Sequence, residues 1–477
     1  ILMSMMLAHQ LWMDVPLWRF LSSKPSGNME LGKKEGIVNI SDAMSPQSIT
    51  VNFGGGLHTV LYADAYGLWE KVLQILQEKN ATEIDIQEVD ALKWKEAQNV
   101  KSIEMKFACR MPIEILSKGI QGAFKDKIAF ADSILLLLIE NNPVYMADSQ
   151  EEKYYRLASS KGIQDELIEK VNQIESKEYT HYYPIEDIYG VSNYRLMPVE
   201  WTESLPEIKT VPEMDAADDL GIKSFAGTFF GENFDFVRKI RETTGSVIYT
   251  YGYGKKSLKI NSLGVAEYIE EIDPQKTAAS VGVWEAFQIA FQFVQEHGGW
   301  TYSDGNSIKP FIKNIVPVER EKRKGYRFIF GYRFNDVPVY HPPQIAGEAL
   351  EVEVIGSQVN YYKRFLKEKA SEAVYEYERE LEYDDGLEMM VVTDIINKNF
   401  DVIEKDYLRN QGQNIKEMDE EKIRDEILES MDSIGLGYYD QSAEKIGVLG
   451  PVWILKVGNI TYYFDVYDGS IVSRFEN

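Results

Sequence analysis

The spacing of apolar residues changes period repeatedly along this chain, and each change marks a predicted element. "SITVNFGG" and "LHTVLYA" read as two strands around the turn Gly54-Gly55-Gly56. "DAYGLWEKVLQILQEKN" shifts to helical spacing, with Leu68, Val72, Ile75 and Leu76 on one stripe. "SIEMKFACRMP" alternates as a strand, and "FADSILLLLIENNPVYMA" reads as strand, turn, strand around Asn141-Asn142-Pro143. A second amphipathic helix, "IQDELIEKVNQIES", leads into the Tyr- and Pro-rich "YTHYYPIEDIYG". These elements make a first α+β domain over residues 48–205.

A second unit, residues 214–370, opens with "FDFVRKIRETTG", predicted as a helix stopped by Gly245. "SVIYTYGYGKKSLKINSLGVAEYIE" follows as three strands, with Gly252, Gly254 and Gly264 supplying the turns. "SVGVWEAFQIAFQFVQEHGG" is a strong helix, and at least four strands come after it. A third unit, residues 371–477, repeats the plan: helices in "EMMVVTDIINKNFDVIEKDYL" and "EEKIRDEILESMDSI", then three or more antiparallel strands. The fold class is therefore α+β, three consecutive domains of antiparallel sheets with packed helices. The last two units read as a possible duplication of one module.

The front of the chain breaks this rhythm. In "ILMSMMLAHQLWMDVPLWRF" seven of the first eight residues are apolar, with no polar face of the kind a core helix shows. It is too short by itself to span a bilayer, which takes about 20 apolar residues. Residues 1–21 are expected to be the remnant of an N-terminal transmembrane anchor whose start has been cut away, with Trp12 and Trp18 in the interfacial belt. A buried helix or a signal peptide is the alternative on apolar content alone. Residues 22–47, rich in Ser, Gly, Pro and Lys, read as a tether.

Composition narrows the function. Of 477 residues 44% are hydrophobic and 12% aromatic, enough for extensive cores. The net charge of −25 opposes binding to nucleic acid or to an anionic membrane surface. From Glu376 to Asp432 there are 19 acidic residues against 7 basic ones, which reads as a solvated helical face or, more sharply, as a docking face for a basic partner or a loose divalent-cation surface. Cys109 is the single cysteine, and His9, His58, His181, His297 and His341 form no H-x-H or H-x-x-x-H pair, so no zinc site and no cofactor is expected. His297 in "EHGGW" is placed in the last turn of a helix, where a cation suits the dipole.

Catalytic patterns are weak. "NFGGGLHTV" lacks the G-K-[ST] of a phosphate loop, and Ser442-x-x-Lys445 lacks its companion motifs. The carboxylate pairs Asp384, Asp385 and Asp465, Asp468 read as turn and cap chemistry rather than as a glycosidase pair. No catalytic set emerges, and a non-enzymatic chain is expected.

The stretch "FFGENFDFVRKIRETTGSVIYTYGYGKKSLKINSLGVAEYIEE" resembles the YycH family of regulatory proteins, which carry an F-F-x-x-x-S-x-V-R-like segment followed by G-S-x-I-Y-T-like and G-x-x-E-Y-like segments. "AFQFVQEHGGW" and "GYRFIFGYRFNDVPVYHPPQIAGEALEVEVIGSQVNYYKR" continue the likeness in order. "VWILKVGNITYYFDVYDGSIVS" is similar to a PepSY-type ending, while Phe234-Asp235 departs from the small polar residue usual before the Val-Arg step. YycI-like proteins share the later units but are shorter. The resemblance implies a single-pass protein of a Gram-positive-type bacterium, its body outside the cytoplasm. It also implies association with a YycI-like protein and a sensor histidine kinase of the YycG/WalK type, control of cell-wall metabolism, and no catalytic residues. Ser4, Ala8, His9 and Gln10 would then be candidate contacts with a partner's span. The alternative is a PepSY-type binding module that inhibits a secreted peptidase or senses a cell-wall ligand.

Overall fold

The computed structural model describes residues 38–80, 85–117, 127–139, 143–157, 164–201, 204–343, 347–370, 388–411, 420–441 and 447–476. The expected anchor, with Ser4, Ala8, His9, Gln10, Trp12 and Trp18, lies outside them, as do Asp384, Asp385, Ser442 and Lys445. No helix among the described residues is long and apolar enough to cross a membrane. Val38, Ala43 and Met44, at the end of the stretch expected as tether, are buried.

Two sheets organise the α+β chain. The first contains β1 (Ser48–Gly54), β2 (Leu57–Leu61), β3 (Ile86–Val89), β4 (Ser102–Pro112), β5 (Phe130–Leu137), β6 (Val144–Asp148), β7 (Lys153–Leu157), β8 (Tyr182–Pro184) and β9 (Leu196–Pro198). Their spatial order is β3-β7-β6-β5-β4-β1-β2-β8-β9, and the pairings between them are antiparallel. Gly54, Gly55 and Gly56 all have positive φ, the backbone that the tight β1–β2 turn requires and that a Cβ would strain. Helices Leu68–Asn80 and Gln164–Glu175 bury Leu68, Val72, Ile75, Leu76, Leu167 and Val171 in one core with Ile49, Val51 and Phe53 of β1.

Because strand side chains alternate, Ser48, Thr50 and Asn52 face the other way. That second face is also largely buried and carries a polar seam. His58 Nδ1 meets Asn52 Oδ1 at 2.6 Å, Asn52 donates to Ser102 Oγ at 2.8 Å, and Ser133 Oγ donates to Glu104 at 2.8 Å.

The second sheet begins with β10 (Ile208–Pro212), β11 (Arg238–Arg241), β12 (Val247–Tyr251), β13 (Lys256–Ile260) and β14 (Ala266–Glu270). It continues with β15 (Lys309–Arg320), β16 (Arg323–Phe334), β17 (Val337–Tyr340), β18 (Leu350–Ile355), β19 (Gln358–Arg364) and β20 (Lys367–Lys369). The C-terminal strands are β21 (Met431–Asp440), β22 (Gly447–Val457), β23 (Ile460–Asp465) and β24 (Ile471–Glu476). The main path runs β11-β12-β13-β14-β19-β18-β16-β17-β21-β22-β10-β20. Its one parallel step is β17 against β21, with Val339 beside Tyr438 and Tyr340 beside Tyr439.

One predicted helix is corrected. "FDFVRKIRETTG" forms a short 3-10 turn, Gly231–Phe236, and then the edge strand β11, while the α-helix lies just before it at Asp219–Phe230. Asp218 caps that helix by accepting from Leu220 N–H and Gly221 N–H. Gly245 is not a helix stop; it sits at φ +87 in the turn that folds β11 onto β12. Strand pairing overrides the helical spacing because Ile240 finds Ile248 across the ladder. Likewise the predicted helix "EEKIRDEILESMDSI" ends at Glu429, and Met431 opens β21.

The acidic stretch, where described, is mostly the outer face of helices Val392–Asn410 and Glu420–Glu429. Asp406 is an exception. It is buried against Arg474 of β24 at 2.5 Å and accepts from the Tyr462 hydroxyl at 3.2 Å.

Arg364 fastens the middle of the second sheet. Its guanidinium, fully buried, binds both Glu213 carboxylate oxygens at 2.7 Å and donates to Gly299 O at 2.9 Å. Burial opposes the charge, but Glu213 outweighs it and holds the guanidinium firmly protonated. Replacing Arg364 by Met should destabilise the protein by about 3–5 kcal/mol, because Glu213 is left without its cation. Adding Glu213→Gln should recover part of that loss, as urea unfolding of both variants would measure; equal losses would refute the pairing.

Candidate functional site: a cleft where the sheets meet

The second face of the first sheet does not pack flat against β17, β21 and β22. Between them lies a cleft of about 240 Å³. Its floor comes from alternate residues of neighbouring strands: Ser48 and Thr50 of β1, Val60 of β2 and Lys106 of β4. Tyr182 and Leu196, from β8 and β9, form one wall; Pro338 and Tyr340 of β17 with Ile434 and Leu436 of β21 form the other.

The polar groups in it are only partly engaged. Gln47 Nε2 donates to the Tyr340 hydroxyl at 3.0 Å, and the hydroxyls of Tyr62 and Tyr182 lie 3.3 Å apart. Burial pushes the phenols of Tyr62 and Tyr340 up to about 12 and that of Tyr182 well above its ordinary value, so all three stay protonated, each able to donate and to accept. The hydroxyl of Thr50 is buried with no hydrogen-bond partner. At the rim, Lys106 approaches Glu104 at 3.7 Å and Asp432 approaches Lys456 at 3.5 Å. Arg195, also lining the cleft, is exposed; no carboxylate among the described residues lies within 4.0 Å of it, and its charge reaches Asp132 only at longer range.

The chain matches no family model and no curated protein. It does match a solved structure, the crystal structure of YycH from Bacillus subtilis, with a TM-score of 0.53 at 14% identity, over 92% of this chain and 98% of that one. This chain has the YycH fold.

Within the YycH-like fold, a second polar group sits beside the cleft but is sealed from it. His341 Nδ1 lies 3.1 Å from Asp440 Oδ2, the Tyr332 hydroxyl 3.2 Å from His341 Nε2, and Lys367 Nζ 3.6 Å from the same Asp440 oxygen. The residue types suit acid–base chemistry, yet all four are buried, so the group joins β16, β17, β20 and β21 rather than meeting a substrate. Among the described residues no cluster of three His, Cys, Asp or Glu is placed to hold a metal ion. Burial pushes the Cys109 thiol up to about 12, so it stays protonated at neutral pH.

Sequence reasoning singled out none of the cleft residues as a site. Gln47 and Asp432 stand almost the length of the described chain apart, and no local spacing links them. The Tyr-rich "YTHYYP" and the proline-flanked "VPVYH" were the available signals, since aromatic residues at strand ends commonly line binding surfaces. His297 is corrected in one respect. It does end its helix, but burial holds it below the ordinary imidazole value of 6.5; it stacks on Phe293 at 3.9 Å and bonds that residue's carbonyl, so it serves as a neutral cap.

Burial depresses His58, His297 and His341 alike; at His341 Lys367 and Lys313 add to the effect while Asp440 opposes it. Each ring is protonated more readily in the unfolded chain, so stability is complete above 6.5 and falls as pH drops below that value. Tm should therefore decline between about pH 7 and about pH 5, and more shallowly in a His58→Gln, His297→Gln variant. A variant as acid-sensitive as the parent would contradict this.

Proposed function

We propose that this chain is a membrane-anchored, extracytoplasmic regulator of a sensor histidine kinase of the YycG/WalK type, acting with a YycI-like partner and so adjusting cell-wall metabolism. The observation that carries the reading is the extent of the likeness: the YycH fold covers 92% of this chain and 98% of the solved one. The ordered sequence resemblance in the second and third units supports it independently. The protein acts by binding and not by turnover.

A regulator of this kind changes a kinase only by binding its conformations unequally, and couplings of about 1–3 kcal/mol correspond to effects of about 5- to 150-fold. Two regions can supply the difference. In the proposed anchor, Ser4, Ala8, His9 and Gln10 would be the candidate small and polar contacts with a partner's span, and Trp12 and Trp18 the candidate interface anchors. The body supplies the rest through its sheet faces.

Crosslinking of intact membranes should recover a sensor kinase and a YycI-like protein with this chain, and kinase autophosphorylation should change when the chain is removed. Recovery of a secreted peptidase instead would favour the peptidase-restraining alternative. Keeping the N-terminal segment while deleting residues 48–477 tests the strip: regulation that survives assigns the coupling to Ser4, Ala8, His9 and Gln10. Regulation that disappears assigns it to the body.

A further inference from the structure

The cleft between the sheets has the chemistry of a ligand site. Three observations meet there. First, the lining is rich in hydroxyls, from Ser48, Thr50, Tyr62, Tyr182, Tyr340 and Ser433. A hydroxyl both donates and accepts, so such a lining suits a ligand whose own groups do the same. Second, the Thr50 hydroxyl is buried without a partner, a costly state that a ligand group could relieve. Third, the charges at the rim are uneven. Lys106 and Asp432 have partners within 4.0 Å, whereas Arg195 at the mouth has no carboxylate within 4.0 Å among the described residues and interacts with Asp132 only at longer range.

Size and shape limit the class. At about 240 Å³ the space falls below the usual range for drug-sized ligands, about 300–1,000 Å³, and suits a single small ring. Tyrosine rings and Val60 provide apolar surface for the C–H face of such a ring, while the hydroxyls surround its edge. An extended peptide would call for a free strand edge to pair with its backbone, and the floor here is the face of a sheet. We infer that the cleft binds a monosaccharide-sized sugar acid, its ring hydroxyls met by Ser48, Thr50 and Gln47 and its carboxylate by Arg195. Arg195 suits this role because its planar donors can take both carboxylate oxygens. The inference stands on the cleft alone and holds whether or not the kinase reading does.

Isothermal titration calorimetry of the whole chain with glucuronate tests it, with glucose and inorganic phosphate as comparisons. Glucuronate should bind saturably, and glucose and phosphate each about tenfold more weakly. Arg195→Gln, at an exposed position, should weaken glucuronate about tenfold and leave glucose unchanged. Thr50→Val should weaken glucuronate about fivefold without lowering Tm, since it removes an unpaired buried hydroxyl. Absence of saturable glucuronate binding would overturn the assignment. So would equal binding of phosphate, which would show an anion site only, or an Arg195→Gln variant that binds glucuronate as the parent does.

Discussion

One buried cation holds the two sheets together. Arg333, on β16, is buried, and no carboxylate among the described residues lies within 4.0 Å of it. Its guanidinium is satisfied chiefly by main-chain carbonyls: Tyr62 O and Pro46 O at 2.6 Å, with Pro310 O and Gln47 O at 3.4 and 3.5 Å and Ser45 Oγ at 3.3 Å. Phe311 covers one face of the fork, 4.6 Å away. Desolvation lowers this guanidinium to about 10, with Asp336 and Asp64 offsetting only part of the effect from a distance, so it stays charged at neutral pH. A buried charge of this kind tolerates little change, because each lost acceptor leaves a donor without water. It therefore fixes the segment before β1 and the end of β2 against β16.

The cleft follows from that clasp. Gln47 is one residue beyond Pro46, whose carbonyl Arg333 holds, and Tyr62 supplies another of its acceptors. Both residues line the cleft, so the interaction that joins the sheets also sets its floor and one end. Other links secure the opposite side. Asn193 donates to Leu428 O and Met431 O at 2.8 and 2.9 Å, and the hydroxyls of Tyr438 and Tyr467 bond Pro206 O and Leu205 O. These are side chain to main chain bonds, which fix distance and direction more strictly than apolar contact does. The sheets can thus stay a few ångströms apart around a polar space instead of collapsing onto it.

The parts of the fold readable in advance were those governed by neighbours in sequence. Leu68, Val72, Ile75 and Leu76 are all buried on one helix, and the glycines at 54–56 turn the first hairpin as their freedom suggests. Where a remote partner decides, local spacing misleads: β11 is a strand because β12 lies beside it, and Met431 leaves the preceding helix to pair with Val457. The His341 group shows the same limit for polar residues. No histidine has a ligand or catalytic partner at short spacing, yet His341 meets Asp440, 99 residues away.

By itself the sequence determined the α+β class, most helices and hairpins, the absence of a local zinc or phosphate motif, and an ordered likeness that pointed to YycH. These rest on periodicity, turn residues and short-range spacing, all of which act over a few residues. Only the tertiary structure decided that Arg333 would be buried among carbonyls, that Asp406 would leave the solvated acidic face for Arg474, and that residues from Gln47 to Asp432 would enclose one cleft. The physical reason is that burial and pairing across sheets depend on which strands become neighbours, and that choice is made by the folded chain as a whole.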